Sequence, residues 1–282
     1  MQPSGPNAEQ ITYWNEQAAP LWLAENARLD AMLAPFGLAV MERARPAAGE
    51  RVLDVGCGVG QTSLQLAARV GPKGSVIGAD ISAPMLARAR ERAARDALAN
   101  VRFENADAQT FSFTPNGVDL VFSRFGVMFF ADPGAAFANL ARALRPGGRL
   151  AFVCWQTLAQ NPWMANSIAA IAKHVSLPAP PAPDAPGPFA FADAARVRGI
   201  LERAGFRSVS HEPLSGEIAL GRTVDEALDF ALQIGPAGSA LREATPAQRA
   251  AASASIREAL AAYATPDGVR MKYAAWIVTA ER

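Results

Sequence analysis

The chain has 282 residues, enough for one large domain or two small ones with a sizeable core. Half of the residues are hydrophobic, the share of an ordinary globular protein. With 27 basic and 26 acidic residues the net charge is +1, which excludes the whole-protein field of a nucleic-acid or anionic-membrane binder and leaves only a local basic patch open.

In chain order, the amino terminus MQPSGPNAEQ has no basic stretch leading into an apolar one, so no secretory leader is expected. No apolar run reaches the ~18 residues that span a bilayer. The two cysteines, Cys57 and Cys154, form no metal-ligand pattern and suit a reducing compartment. The expected location is cytoplasmic, with no membrane span and no metal.

Residues 1–45 are expected to form a helical cap. Ile11, Trp14, Ala18, Trp22, Leu29, Met32 and Leu33 recur at three- and four-residue spacing, and Pro20 and Pro35 are expected to divide the segment into short helices. Residues 46–155 then alternate strand and helix. Strands are predicted over 51–57, 74–81, 101–108, 117–130 (this one running into a loop) and 149–155. Helices are predicted over 60–71, over 83–96 with Ser82 as cap, and from Asp132 and Pro133 through Leu144, where RPGG stops the helix. Such alternation implies a mostly parallel sheet with helices on both faces.

The pattern changes over residues 156–265. A helix is expected over 161–175. The proline-rich stretch 177–189 reads as a stiff, extended spacer. A helix follows over 192–206, an extended segment over 206–220, and alanine-rich helices over 223–234 and 246–263. Residues 266–282 carry a closing strand, VRMKYAAWIVTA.

The stretch VLDVGCGVGQTS, Val52 to Ser63, carries glycines at every second position: Gly56, Gly58 and Gly60. A helix beginning near Gly60 would turn its free N–H groups toward this loop, and glycine lets a ligand approach the main chain. A dinucleotide fingerprint has G-x-G-x-x-G spacing, which this loop lacks. Asp54 stands two residues before the first glycine, where an anion opposes a pyrophosphate and suits an ammonium group. Asp80 ends the second strand and can accept both hydrogen bonds of a ribose diol. It indicates a ribose without choosing between cofactors. Asp107, ending the third strand, can accept from an exocyclic adenine amine.

Five stretches in order, VLDVGCGVGQTS, GADIS, NADA, DLVFSRFGVMFF and RPGGRL, resemble the class I S-adenosylmethionine-dependent methyltransferases, nearest to the UbiE-like small-molecule group. The resemblance covers about residues 48 to 155. It implies a Rossmann-like, seven-stranded α/β sheet whose last strand is antiparallel, with helical lid additions. It implies S-adenosylmethionine as cofactor and S-adenosylhomocysteine as product. Gly56 and Gly58 would approach the methionine part, and Asp54 its ammonium group, directly or through water. Asp80 would bind the ribose, Ile81 would pack on adenine, Asp107 and Ala108 would hold the adenine edge, and Ser123 would offer its backbone near the methionine part.

The substrate side is read from Tyr13, Arg124, Phe125 and Met128. Tyr13 is either helix core or an aromatic face over the cleft. An aromatic face would favour a sulfonium cation. Trp14 reads as core. Arg124 either binds an acidic substrate group or pairs with a helix carboxylate. Phe125, Met128, Phe129 and Phe130 give that loop an apolar wall. Cys57 reads as a small, tolerated side chain. His174, on a predicted helix after the fifth strand, is either a base at a substrate wall or a surface or partly buried histidine, His211 lies in an extended segment, and the loop after the fourth strand offers no histidine or acid as a base. No catalytic side chain is assigned.

The expected reaction is methyl transfer to a small, partly hydrophobic oxygen, nitrogen or carbon nucleophile, by positioning and water exclusion under a lid of residues 1–45 and 156–265. A nicotinamide-dependent oxidoreductase and a non-catalytic cofactor-binding module are the alternatives. Nucleic acid is not an expected partner, and the oligomeric state is not readable.

Overall fold

The computed structural model describes residues 2–177, 179, 181, 182, 184–234, 236–241 and 244–282. The chain divides into two compact units, one of residues 1–154, 184–213 and 276–282, the other of residues 155–183 and 214–275.

The first unit opens with helix α1 (Ala8–Thr12), a π-helical turn (Tyr13–Gln17), α2 (Ala18–Ala24) and α3 (Asn26–Ala44). The expected breaks at proline are corrected. Pro20 sits in the first turn of α2, where its missing N–H has no helical partner to lose. Pro35 lies inside the 19-residue α3, which stays whole because Leu29, Leu33, Phe36, Val40 and Met41 bury one continuous stripe. The divisions fall instead at the π-turn and at Glu25.

Strands β1 (Arg51–Val55), β2 (Ser75–Asp80), β3 (Val101–Asn105), β4 (Val118–Arg124) and β5 (Leu144–Trp155) alternate with α4 (Gln61–Val70), α5 (Ala83–Arg95) and α6 (Pro133–Ala143). The pairs β1–β2, β1–β4, β2–β3 and β4–β5 are parallel. Strands buried on both faces need near-continuous apolar runs, and Val52, Leu53, Leu120, Val121, Phe122, Leu150, Ala151, Phe152 and Val153 supply them. Helix α8 (Ala194–Arg203) belongs to the same unit, capped by Asp193, whose side chain accepts from the Ala195 and Arg196 N–H groups. Strands β6 (Arg207–Gly221) and β8 (Gly268–Glu281) complete a sheet of order β3-β2-β1-β4-β5-β8-β6.

Two sequence expectations change here. The sheet has eight strands, not seven, because the two-residue β7 (Ala264–Thr265) pairs antiparallel with β8. The stretch Arg145–Gly148 does not merely end a helix. It lies within β5 as an irregularity, since Val118 faces Leu144 and the next pair is Leu120 with Arg149. Of the proline-rich stretch, residues 178, 180 and 183 lie outside the described ones. Its later part, from residue 184 on, belongs to the first unit, where the Gly187 N–H donates to the Met128 carbonyl at 3.1 Å.

In the second unit, α7 (Pro162–Ile171), α9 (Val224–Gln233), α10 (Pro236–Ala240) and α11 (Pro246–Ala261) pack on one another. Thr223 caps α9, and Thr245 with Gln248 forms a capping box on α11. Trp163, Met164, Leu220, Phe230, Ile234 and Ala237 line a small apolar cavity there.

Candidate functional site

The carboxyl ends of β1, β2, β3 and β4 meet at one edge of the parallel sheet, the usual ligand edge of an open α/β fold. Gly56, Gly58 and Gly60 all take positive φ and turn the chain from β1 into α4. Gly56 is also packed against Gly126: a Cβ on Gly56 would lie 2.6 Å from the Gly126 Cα.

Asp54, on β1, is fully buried. Its Oδ2 accepts hydrogen bonds from Thr62 Oγ1 at 2.7 Å and Ser63 Oγ at 2.6 Å, both in the first turn of α4. Its Oδ1 is buried with no partner. Burial pushes the carboxyl up to about 6, against the two hydroxyl bonds and the attraction of Arg124; the charge of Asp80 adds to the rise. A buried carboxylate with one orphaned oxygen suits a cationic ligand group.

Asp80 Oδ2 accepts the Gly58 N–H at 2.7 Å, and Oδ1 accepts the Ser82 N–H at 2.8 Å. Burial raises its pKa and these backbone donors oppose the rise. The acid therefore ties the glycine loop to the β2–α5 turn. The Ile81 N–H is a third backbone donor to this carboxylate. If Asp80 accepts a ribose diol, its replacement by Ala weakens binding of the ribose-bearing ligand by about 1–3 kcal/mol, read by calorimetry, because ligand hydroxyls and the Gly58 N–H lose an acceptor together.

Ser82 does not cap α5 through its side chain. Its hydroxyl donates to the Trp14 carbonyl at 3.0 Å. Asn15 does the capping instead: its Oδ1 accepts the Ala83 N–H at 3.0 Å, while its Nδ2 donates to the Ile81 carbonyl at 3.0 Å. The π-turn thus fastens the amino-terminal strap to the loop carrying Ile81. Trp14, Trp22 and Leu23 pack on Val59 of the glycine loop and on Met85. The Trp14 ring also meets Phe129 edge-on at 5.1 Å. Tyr13, beside Trp14 in the same turn, is half-buried with its ring edge-on to that indole.

Asp107 is 5% exposed and is held by Asn7, Gln109 and Thr110. Ala108 is buried, and its carbonyl accepts from Asn139 Nδ2 at 2.9 Å. Ser123 is fully buried, and its hydroxyl donates to the Val55 carbonyl at 2.7 Å while accepting from the Gly126 N–H at 3.2 Å, which joins the ends of β4 and β1.

Arg124 donates to the Gln61 side-chain carbonyl. Burial holds its guanidinium below the ordinary range, opposed by the charges of Asp30 and Asp54. Gln61 in turn donates to the Asp30 carbonyl, and Asp30 pairs with Arg92 at 2.8 Å. This network braces the glycine loop through the Val59 carbonyl, which accepts from Arg92 at 3.2 Å. Phe125 holds φ of +59°, a left-handed conformation that is strained for a bulky residue, and sets its ring against Phe36. Met128 is buried beneath the same loop.

Cys57 is buried, and burial, with the charges of Asp80 and Asp54, pushes its thiol well up. That describes an inert side chain rather than a nucleophile. His174 pairs with Ser255 at 2.7 Å in the second unit. His211, on β6, sits edge-on to Trp276. Among the described residues no group of three or more histidines, cysteines and acids could hold a metal. No helix of the described residues is long and apolar enough to cross a membrane.

Residues 52–148 match a family model described as a methyltransferase domain. The chain is 39% identical over 118 residues to aklanonic acid methyltransferase DauC of Streptomyces sp. strain C5, covering 42% of this chain and 54% of that protein. It is 41% identical over 103 residues to the ubiquinone/menaquinone biosynthesis C-methyltransferase UbiE of Stutzerimonas stutzeri, covering 36% of this chain and 40% of that protein. The chain thus matches about half the length of these curated relatives. Among solved structures, a putative methyltransferase from Bacillus halodurans superposes with a TM-score of 0.58 at 17% identity, over 87% of this chain and 97% of that one.

Proposed function

We propose, with residues 52–148 being a class I S-adenosylmethionine-dependent methyltransferase domain, that this chain transfers a methyl group from that cofactor to a small, partly hydrophobic acceptor. The observation that carries the reading is the fully buried Asp54, whose unpartnered Oδ1 stands at the glycine loop and suits the ammonium of the cofactor's methionine end. When bound, the cofactor supplies a methyl group activated by positive sulfur.

The chain's own contribution is orientation and exclusion of water. Gly56 and Gly58 let the main chain approach the methionine part, Asp80 takes the ribose hydroxyls, and Ile81, Asp107 and Ala108 bound the adenine. The backbone of Ser123 faces the methionine part. Tyr13, Phe125 and Met128 with the Trp14–Phe129 pair give an apolar surround, in which fixed dipoles act more strongly than in water. Arg124 acts mainly through Gln61, as a brace of the loop. Without an assigned base, rate enhancement rests on alignment of nucleophile and methyl.

A small-molecule acceptor is favoured by the named relatives, aklanonic acid methyltransferase and nocamycin O-methyltransferase among them, and by the near-zero net charge. The test is incubation with methyl-labelled S-adenosylmethionine and a panel of aromatic acids, phenols and hydroquinones. Acceptor-dependent release of S-adenosylhomocysteine with label in one product supports the reading. Cofactor binding without any transfer across the panel would replace the enzyme with a binding module.

A further inference from the structure

Asn7 immediately precedes α1 and is only 3% exposed. Its Nδ2 donates to Asp107 Oδ1 and Oδ2, both at 2.9 Å, and to Gln109 Oε1 at 3.1 Å. Its Oδ1 accepts the Ala131 N–H at 2.7 Å. Gln109 Oε1 also accepts the Asp132 N–H at 3.0 Å. One carboxamide, arriving from a hundred residues away, thus bridges the loop after β3 and the loop after β4.

The hydrogen-bond capacity of Asp107 is the informative quantity. Oδ1 accepts from Asn7 and from the Gln109 N–H at 2.9 Å; Oδ2 accepts from Asn7 and, at 3.4 Å, from Thr110 Oγ1. Asn7 Nδ2 has two hydrogens: one goes to Gln109 Oε1, and the other is shared between the two Asp107 oxygens and covers the face between them. An adenine amine entering at that face must displace Asn7. The Gln109 N–H belongs to the main chain of the local turn, whereas the Asn7 donor is a side-chain amide that leaves Asp107 by rotation about its own χ angles. The group that leaves and the group that arrives are alike: each is a planar NH2 on an sp² carbon.

We infer that Asn7 is a built-in mimic of the adenine amine, occupying Asp107 and yielding it when cofactor binds. The inference rests on the proposed placement of adenine at Asp107. Its consequence is a self-limited cofactor affinity. Asn7 returns to Asp107 as the demethylated product leaves, so a buried acceptor is not left bare and exchange is eased.

The experiment is a calorimetric square on the full chain. Wild type and Asn7→Ala are titrated with S-adenosylhomocysteine and with S-inosylhomocysteine, whose base carries an oxo group in place of the amine. Removal of the competing donor is expected to tighten S-adenosylhomocysteine about three- to tenfold in Asn7→Ala, the worth of one net hydrogen bond, and to leave S-inosylhomocysteine unchanged. Unchanged or weaker S-adenosylhomocysteine binding in the variant, with Thr110 yielding or Asn7 purely structural, overturns the mimicry. So does an equal gain for both ligands, which describes a simple steric cover. Should Asn7→Ala fail to fold, Asn7→Leu keeps the bulk of the side chain and brings no donor to Asp107. Failure of the wild type to bind S-adenosylhomocysteine would instead strike the proposed function itself.

Discussion

Replacing Asp54 by Asn is expected to weaken S-adenosylhomocysteine binding about 10- to 100-fold near neutral pH, and to make the protein without ligand no less stable. The first effect is the loss of a charge-assisted bond in a dry site, worth about 1.5–3 kcal/mol. The second follows from burial. The Asp54 carboxyl is held at about 6, above its ordinary value near 3.8, so the folded chain keeps this proton where the unfolded chain has lost it. Stability is then full below pH ~4, falls as pH rises toward ~6, and levels off above, by something on the order of 3 kcal/mol. The charge left unpaired at Oδ1 is the cause. A ligand ammonium reverses the preference: it favours the ionised form, so binding near pH 6 releases a proton and weakens on further acidification. Calorimetry in buffers of different ionisation enthalpy reads that proton. Affinity independent of pH between 5 and 8, or a marked loss of thermal stability in Asp54→Asn at pH 7.5, would remove Asp54 from the ammonium site.

Gly126→Ala is expected to cost about 2–4 kcal/mol of stability and to abolish tight cofactor binding together with it. A Cβ there would stand 2.7 Å from the Val55 carbonyl oxygen and 2.8 Å from the Gly56 Cα, so backbone rather than a side chain must move. Val55 ends the buried strand β1, and Gly56 and Gly126 lie in the turns directly after the paired strands β1 and β4, so little relaxation is open to these atoms. The reciprocal change, Gly56→Ala, adds the cost of a positive φ of 68° to the same clash. Gly58→Ala is the control. Its φ of 54° carries strain, but the nearest atom to the new Cβ is Met85 Sδ at 3.8 Å, an ordinary contact. Denaturant melts should rank Gly58→Ala well above the other two in stability. Equal melts for all three would mean that the Gly56–Gly126 contact does not shape the cleft.

Much of the architecture follows from local pattern. The alternating elements from Arg51 onward are legible because apolar strand runs and amphipathic helices have different periods, and loops with Gly, Pro or Asp separate them. Asp54, Asp80 and Asp107 stand out because each is an acid ending or nearly ending an apolar strand run. The partners of these acids are harder to read. Thr62 and Ser63 follow the glycine loop closely and were within reach of sequence reasoning, since a helix first turn faces back toward the strand. Asn7, Asn15 and Gly126 were not. Each acts through a contact 66 or more residues away, and nothing in its own neighbourhood marks it. Pro35 misleads for the opposite reason: its local rule is strong, yet the buried stripe of α3 outweighs one lost hydrogen bond. The two-residue β7 is too short to carry any period.

We propose that the loop from Asp54 to Gly60 holds the methionine end of S-adenosylmethionine. Titration of the full chain with S-adenosylhomocysteine and, separately, with NADH separates this placement from a dinucleotide site. Saturable binding of S-adenosylhomocysteine at one site per chain, with no heat from NADH, is the predicted result. Binding of NADH without S-adenosylhomocysteine would make the loop a dinucleotide site.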